Sequence, residues 1–337
     1  MAKFLDWLRL FRVNKSPMTV ILVEVFFLIG GGSFLSWYNV WLVLWATLVH
    51  WVTFGHNTVM DTTRGFDKEN PHRKHDPLVS GAIQIDEAHK YVNWLLIFAA
   101  FAGLLLVLTS PGQQVVSLSF MILFIVAGHA YSDGMNKSTV LAFIPFTLAY
   151  SSLCSASFFL YATPASSLSL FLPSITYIVF TLIFQVGWEI YLKDITIEKE
   201  PNLLRALKVK VEKGKFKCSF RARLFGYGVK IGVFVPLFLT GFVNIQATPE
   251  GVSALILLVM TVVFAVLQIE TRDYNYNRDI LFTLFEDFAS VLLLPVVIVG
   301  GLGGIGGIAV ISMVIYTIVW YILFNLLTWS SPFRPKE

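Results

Sequence analysis

The sequence predicts an all-α protein, a polytopic membrane helix bundle with about ten transmembrane helices. Of its 337 residues, 56% are apolar and only 14% are charged, and the mean hydropathy is +0.72. A soluble domain carries about 25% charged residues and cannot keep this much apolar surface from water. The apolar residues also form long unbroken runs instead of alternating, which disfavours a β-barrel.

Ten apolar runs define the predicted spans, because about 20 apolar residues are needed to cross a bilayer. The runs are 17–36, 38–56, 91–110, 114–131, 138–162, 170–192, 224–246, 252–269, 284–302 and 304–326. Before them, Trp7, Leu8, Leu10, Phe11 and Val13 predict an amphipathic helix at the membrane surface. We therefore expect an interfacial segment at 1–16, one catalytic bundle at 17–327 and a tail at 328–337.

The charges predict the orientation of these spans. Lys and Arg are retained on the cytoplasmic side during insertion. With the N-terminus inside, the basic segments before the first run and after each even-numbered run fall on one side, and Glu250 is the only charge opposite. This pattern predicts a multi-pass protein with both termini and the long polar loops in the cytoplasm. The net charge of +4 then follows from topology and indicates no nucleic-acid partner.

A first group of oxygen ligands follows the second run. Asn57 and Asp61 are four residues apart and share a face if the helix continues through them. Asp67 comes after Gly65, which can turn the chain back. Such oxygens suit Mg²⁺, which typically binds one or two carboxylates and a substrate phosphate. The alternative is a solvated helix end in which these residues are caps.

A second group follows the sixth run. Asp194 and Glu198 again stand four residues apart, and Lys193 places a cation beside them. Two carboxylate sets around a shared cavity would hold two or more Mg²⁺ ions that bridge a diphosphate. Either group alone is also consistent with a solvated helix end. Glu189, deeper in the same run, is a candidate supporting group or base.

These two groups resemble the signatures of the UbiA superfamily of intramembrane prenyltransferases. The first signature is usually NDxxDxxxD with a later Asn and a PxPSG-like stretch, which this chain matches in order with Asn57, Asp61, Asp67, Asn70 and 77–81. Gly65 between the acids looks most like the branch of menaquinone-forming, MenA-like enzymes.

The second signature, EIxKDIxxxxxD, is similar to the segment from Glu189 to Glu198, in wording closer to the archaeal ether-lipid branch. Tyr131 and Lys137 form a third, weaker match. The departures are Thr58 in place of Asp, Glu198 in place of Asp, one residue inserted between Ile190 and Lys193, and a tenth helix after the usual nine.

The resemblance implies a Mg²⁺-dependent enzyme that moves a prenyl group from a prenyl diphosphate to a small lipophilic acceptor, most often an aromatic quinone precursor. Membrane lipids surround the bundle. The implied catalytic residues are Asp61, Asp67, Asp194 and Glu198; with Asn57 they are also the metal ligands. The implied substrate-binding residues are Asn57, Arg64, Tyr131, Lys137, Lys193 and Glu189. Arg64 and Tyr131 have an alternative role as a positive-inside anchor and an interfacial aromatic.

Two other functions remain open at this point. A terpene cyclase of UbiA type would ionise the same diphosphate without an acceptor. A secondary transporter would also place polar residues inside a helix bundle. The acids of this chain cluster at helix ends on one face instead of at the midplane, which disfavours transport.

Polar residues outside the two motifs carry weaker signals. Glu24 and His50 lie at membrane depth and should face the interior of the bundle. The acids from Glu270 to Asp279, and the pair Glu286 and Asp287, are interpreted as a solvated connector on the cytoplasmic side; the alternative is a segment that covers the site.

Overall fold

The chain is folded almost wholly into helices in the computed structural model, which describes residues 2–69, 73–135, 139–162, 168–195, 201–239, 249–271, 273–299 and 306–329. The α-helices are α1 (Ala2–Leu10), α2 (Ser16–Ile29), α3 (Trp37–Thr63), α4 (Phe66–Glu69), α5 (Ile85–Thr109), α6 (Gln114–His129), α7 (Phe143–Phe159), α8 (Leu168–Phe184), α9 (Tyr191–Lys193), α10 (Leu203–Ala206), α11 (Phe220–Leu239), α12 (Pro249–Glu270), α13 (Tyr276–Leu294) and α14 (Gly306–Trp329). Three π-helical segments continue α6, α8 and α13, at Ala130–Met135, Gln185–Ile190 and Pro295–Val299.

The chain forms two compact units. Unit 1 comprises residues 1–122, 156–163 and 311–337, and unit 2 comprises residues 123–155 and 164–310. The first candidate motif lies in unit 1 and the second in unit 2.

Unit 1 is built around α2, which is buried on nearly every face and packs against α3. Helix α3 begins at a Ser36 cap, whose hydroxyl accepts a hydrogen bond from the Asn39 amide at 3.1 Å. The Asn39 side chain donates to Glu24 Oε1 at 2.6 Å, and Thr19 Oγ1 lies 2.8 Å from His50 Nδ1. Glu24 and His50 are therefore buried in hydrogen-bonded positions, as expected for polar groups at membrane depth.

The N-terminal segment packs onto unit 1 through its apolar face. Leu10, Phe11 and Val13 are buried, and they pack with Val59 of α3 and Val92 of α5. The position of this amphipathic segment at a membrane surface stays a prediction.

Unit 2 contains two helix pairs, α8 against α11 and α12 against α13. The Tyr177 hydroxyl on α8 donates to the Ser290 carbonyl on α13 at 2.6 Å. Helix α13 begins at Tyr276, capped by Asn275, whereas the ninth apolar run predicts a start at 284. Asp279, Glu286 and Asp287 are therefore helical. A solvated connector is wrong for Glu286, which is 0% exposed.

A short β-hairpin precedes α11. Its strands, β1 (Lys210–Glu212) and β2 (Lys215–Lys217), pair antiparallel with Val211 opposite Phe216. Both turn residues, Lys213 and Gly214, have positive φ, as a two-residue turn of type I′ requires. Phe216 is buried while the strand lysines are exposed.

The helices are those of an integral membrane protein. Within the described residues six are long and apolar enough to cross a membrane: Ile85–Thr109, Gln114–Met135, Leu168–Ile190, Gly251–Glu270, Arg278–Val297 and Ile308–Thr328. Many of their outward apolar side chains are exposed, which in water would be unfavourable. The predicted count of ten spans is not confirmed, although each of the ten apolar runs overlaps a helix. Helix α2, for example, has only 14 residues.

Candidate active site

The first motif lies at the end of α3, which continues through Thr63. Asn57 and Asp61 therefore share a helical face, and the Asn57 amide donates to Asp61 Oδ2 at 3.0 Å. The side chain of Asp61 is buried, with 2% of the residue exposed. The four-residue spacing thus places both side chains on one face of α3, as the sequence predicts. Thr58, which departs from the UbiA pattern, donates to the Phe54 carbonyl at 2.9 Å within the helix.

Gly65 turns the chain between α3 and α4. Its φ of +84° lies in the left-handed region that favours glycine. The Arg64 amide donates the last hydrogen bond of α3 to the Met60 carbonyl at 3.0 Å, and the Gly65 amide donates to the Thr62 carbonyl at 3.1 Å. After the turn, Asp67 lies in α4 and is 0% exposed. The Arg64 side chain is exposed.

Arg73 is a residue to which the sequence analysis gives no role. Its Nη1 lies 2.8 Å from Asp76 Oδ2, and its Nε lies 3.9 Å from Asp67 Oδ1. The guanidinium therefore places a positive charge next to the buried Asp67 carboxylate. The three-residue spacing of Arg73 and Asp76 is the sequence feature that could have predicted their ion pair. The contact of Arg73 with Asp67 could not be predicted in this way, because it depends on how the chain turns at Gly65. Asn70, named in the resemblance, lies outside the described residues.

The stretch 77–81 forms the turn that leads into α5. The Ser80 amide bonds to the Asp76 carbonyl at 2.9 Å, and the Ile83 amide bonds to the Pro77 carbonyl at 3.1 Å. Gly81 has a φ of +77°, and Leu78 is buried in the core of unit 1. This turn fixes the loop that carries Arg73 and Asp76.

The second motif lies where α8 passes through the π-helical segment Gln185–Ile190 into α9. Asp194 ends α9, with its amide bonded to the Ile190 carbonyl at 3.2 Å and its side chain half-buried. The Asn202 side chain donates to the Tyr191 carbonyl at 2.6 Å and also caps α10, which fixes this end. Glu198 and the side chain of Lys193 lie outside the described residues.

The remaining predicted residues of unit 2 have different surroundings. Glu189 is buried in the π-helical segment and accepts a hydrogen bond from the Gln268 amide of α12 at 2.8 Å. Tyr131 is half-buried in the segment Ala130–Met135, where its ring meets the edge of Phe146 at 5.1 Å between centroids. Lys137 lies outside the described residues. Gln268, like Arg73, has no role in the sequence analysis.

The oxygen donors of the first motif fit a Mg²⁺ site. One helix end and the adjoining turn supply the Asn57 amide oxygen and the carboxylates of Asp61 and Asp67, with both carboxylates buried. Hard oxygen donors of this kind, with few carboxylates per ion, are what Mg²⁺ prefers. Asp194 offers a further carboxylate in unit 2. The class of protein defined so far is an all-α membrane protein with carboxylates at its helix ends.

The fold is that of UbiA homologues. A UbiA homologue from Archaeoglobus fulgidus, in structures bound to GPP and Mg²⁺ and to DMAPP and Mg²⁺, matches 90% of this chain and 99% of its own with a TM-score of 0.60 and 16% identity. A digeranylgeranylglyceryl phosphate synthase matches 89% of this chain and 99% of its own with a TM-score of 0.58 and 16% identity. No family model and no curated protein matches the sequence. The resemblance expected from the motifs is therefore confirmed for the fold.

Proposed function

We propose that the protein is a Mg²⁺-dependent intramembrane prenyltransferase. The observation that carries the proposal is the paired Asn57 and Asp61 at the end of α3, followed by the buried Asp67, within the UbiA fold. The homologue with this fold is bound to GPP and Mg²⁺, a prenyl diphosphate and its metal.

In the proposed reaction the allylic carbon–oxygen bond breaks and its electron pair leaves with the diphosphate. The acceptor then forms a bond to the allylic carbon and loses a proton. Bound Mg²⁺ supplies Lewis-acid stabilisation of the charge on the departing diphosphate. Asn57, Asp61 and Asp67 would hold one part of the bound Mg²⁺, and Asp194 and Glu198 would hold the other.

The other residues of the chain bind and orient the substrate in this proposal. Arg73 positions Asp67 through its charge. The residues that bind diphosphate oxygens are Arg64, Tyr131, Lys137 and Lys193. The apolar helices take up the prenyl tail, because burial is worth about 0.8 kcal/mol per CH₂ group. They also exclude water from the allylic cation.

The acceptor we propose is a small lipophilic or aromatic molecule of the quinone-precursor kind. A second candidate is a glycerol-phosphate lipid precursor, favoured by the likeness to a digeranylgeranylglyceryl phosphate synthase. A cyclase, which needs no acceptor, remains the alternative reaction on the same diphosphate.

One assay separates these reactions. The full chain is purified in detergent and incubated with Mg²⁺ and prenyl diphosphates of several lengths, with an aromatic acceptor, a prenylated glycerol phosphate or neither. We expect diphosphate release that depends on an aromatic acceptor and stops when EDTA removes the metal. Release with only the glycerol phosphate identifies the second candidate, and release with a cyclised product but no acceptor identifies a cyclase. No release under any condition contradicts all three.

We also propose that both termini and the loops that carry the two motifs face the cytoplasm, with residues 1–16 at the membrane surface. The support is the distribution of Lys and Arg along the chain. Single cysteines at Lys3 and Lys213, each introduced after both native cysteines are replaced by serine, should react with an impermeant maleimide only when inside-out vesicles are used. Labelling in right-side-out vesicles would contradict this orientation.

A further inference from the structure

A third group of carboxylates lies inside unit 2 and includes neither Asp194 nor Glu198. Glu189 of the π-helical segment and Glu286 and Asp287 of α13 each place a carboxylate oxygen within 4.8 Å of those of the other two. Glu189 is 1% exposed and Glu286 is 0% exposed, while Asp287 is half-buried. Three acids from two helices thus converge on one point.

Neutral amides hold two of these acids in place. Gln185 donates to Asp287 Oδ1 at 2.7 Å, and Gln268 donates to Glu189 Oε1 at 2.8 Å. These hydrogen bonds orient the carboxylates and leave their charge unchanged. Charged groups so far from water are costly unless counter-charges or metal ions compensate them.

The third acid is held by a buried lysine. Lys230 of α11 forms an ion pair with Glu286 Oε1, which also accepts from the Ser290 hydroxyl at 2.5 Å. The Lys230 ammonium lies 3.9 Å from the centroid of the Phe184 ring, so its position is fixed from a second side. Lys230 therefore compensates Glu286 through one carboxylate oxygen.

Two oxygens at this point lack a donor. Glu286 Oε2 and Gln268 Oε1 are buried and accept no hydrogen bond from any residue in the described part of the chain. A buried acceptor without a partner is energetically unfavourable. The other oxygen of Glu286, Oε1, accepts from Lys230. The other polar atom of Gln268, Nε2, donates to Glu189. The two oxygens without a donor are therefore available to a ligand that accepts electron pairs.

The geometry fits a metal ion. Oxygens on opposite sides of one ion are separated by twice the metal–oxygen distance, which is about 2.3 to 2.6 Å for Ca²⁺ and about 2.0 to 2.1 Å for Mg²⁺. The carboxylate oxygens lie within 4.8 Å of one another, so one ion of either size can contact all three. A cage built from protein oxygens alone favours Ca²⁺, because Mg²⁺ usually keeps several waters. All the donors are hard oxygens, which excludes a preference for soft metals.

We propose that Glu189, Glu286 and Asp287, with the Gln268 amide oxygen, bind a divalent cation of the size of Ca²⁺ that joins the end of α8 to α12 and α13. This ion is additional to the metal of the proposed reaction. It stabilises the packing of unit 2, so its presence is measured by binding and melting, without reference to turnover.

The test uses the full chain in detergent, with Asp61→Asn and Asp194→Asn as a common background that removes proposed ligands of the reaction metal. Free Mn²⁺, which has a resolved electron paramagnetic resonance spectrum, reports binding, and Ca²⁺ competes for the site. We expect a single retained ion that Ca²⁺ displaces more readily than Mg²⁺, together with a Ca²⁺-dependent rise in melting temperature.

Two variants and a control locate the ion. In the same background Asp287→Asn and Glu189→Gln, both isosteric, should each weaken Mn²⁺ binding at least about tenfold. Glu270→Gln is the matched control, since Glu270 lies at the end of α12 and pairs with Arg223 at 3.0 Å, outside the cluster. The control should bind as the background does.

Three outcomes overturn the proposal. Absence of Mn²⁺ binding and of any Ca²⁺-dependent melting shift in the background would mean that the acids hold protons instead. Binding unchanged in both isosteric variants would place the ion elsewhere. A site that Na⁺ fills at equal affinity would contradict a divalent cation. If Asp287→Asn does not fold, Glu189→Gln alone decides.

Discussion

Two helix ends carry similar acidic side chains, Asp61 at the end of α3 and Asp194 after α8, but the backbone conformation of the two ends differs. Helix α3 stays α-helical to Thr63 and then turns at Gly65, and its acids are buried, with Asn57 and Arg73 in contact with them. Helix α8 becomes a π-helical segment, continues for one turn as α9, and ends at the half-buried Asp194. Asp61 and Asp67 are therefore built into the core of unit 1, while Asp194 is closer to the surface of unit 2. Changes at Asp61 should affect both folding and turnover, and changes at Asp194 should affect turnover alone.

The largest effects should come from the two aspartates. Asp61→Ala and Asp194→Ala should each lower turnover at least about a hundredfold, because each removes a carboxylate that stabilises charge in the reaction. Both variants should fold. Only Asp61→Ala should lose stability, by about 1 kcal/mol, since it removes the hydrogen bond from Asn57. Diphosphate release and thermal melting in detergent measure the two quantities.

Asp86→Asn is the control for this comparison, because Asp86 is an exposed acid in the first turn of α5. It should retain turnover. Near-normal activity in both alanine variants would refute the metal assignment, and equal loss of stability in both would remove the distinction between the two helix ends.

A smaller effect is expected at Arg73, where the first motif has a support that the second lacks in the described residues. Lysine has no planar fork, so Arg73→Lys cannot keep the contacts with both Asp76 and Asp67. Turnover at limiting Mg²⁺ should fall about tenfold and recover in part at high Mg²⁺. The measurement is diphosphate release as a function of Mg²⁺ concentration.

Arg9→Lys is matched to this change, since Arg9 pairs with Asp6 at the same three-residue spacing and distance, 2.8 Å, in unit 1. It should leave the Mg²⁺ dependence unchanged. An unaltered Mg²⁺ dependence in Arg73→Lys would mean that Arg73 does not position Asp67.

The last effect concerns the turn itself and is an effect on stability. Among the residues that the structure describes, nothing lies within 4 Å of a Cβ built on Gly65 or on Gly128, but of these two glycines only Gly65 has a positive φ. Gly65→Ala should therefore destabilise by about 1 to 2 kcal/mol through the backbone alone. Gly128→Ala, within α6, should stabilise by up to about 1 kcal/mol. Thermal melting of the two variants measures the difference, and equal shifts of the same sign would contradict the role of the turn.

The sequence predicts those parts of the fold and the site that depend on local pattern. The helices follow from apolar runs, and the contact of Asn57 with Asp61 follows from a spacing of four residues on a helix. The turn before Asp67 follows from Gly65. The apolar pattern does not predict the start of α13 at Tyr276, because Asp279, Glu286 and Asp287 interrupt it.

Contacts between distant segments could not be predicted in this way. Gln268 and Glu189 are 79 residues apart, and Lys230 and Glu286 are 56 apart. From the sequence alone Lys230 is predicted to be a cytoplasmic charge, because the positive-inside rule considers only its position along the chain. Its pairing depends on how α11 packs within unit 2, which periodicity does not specify.

The π-helical segment Gln185–Ile190 has a consequence for how motifs of this kind are compared between proteins. It ends where the second motif carries one residue more than the UbiA pattern. Hydrogen bonds in a π turn join residue i to i+5, so the turn takes up one residue more than an α-helical turn. We therefore expect the insertion to change the spacing along the chain and to leave the helix beyond it in phase. Such motifs are better aligned by helical phase than by residue count, because an alignment with fixed spacing would shift Asp194 out of register.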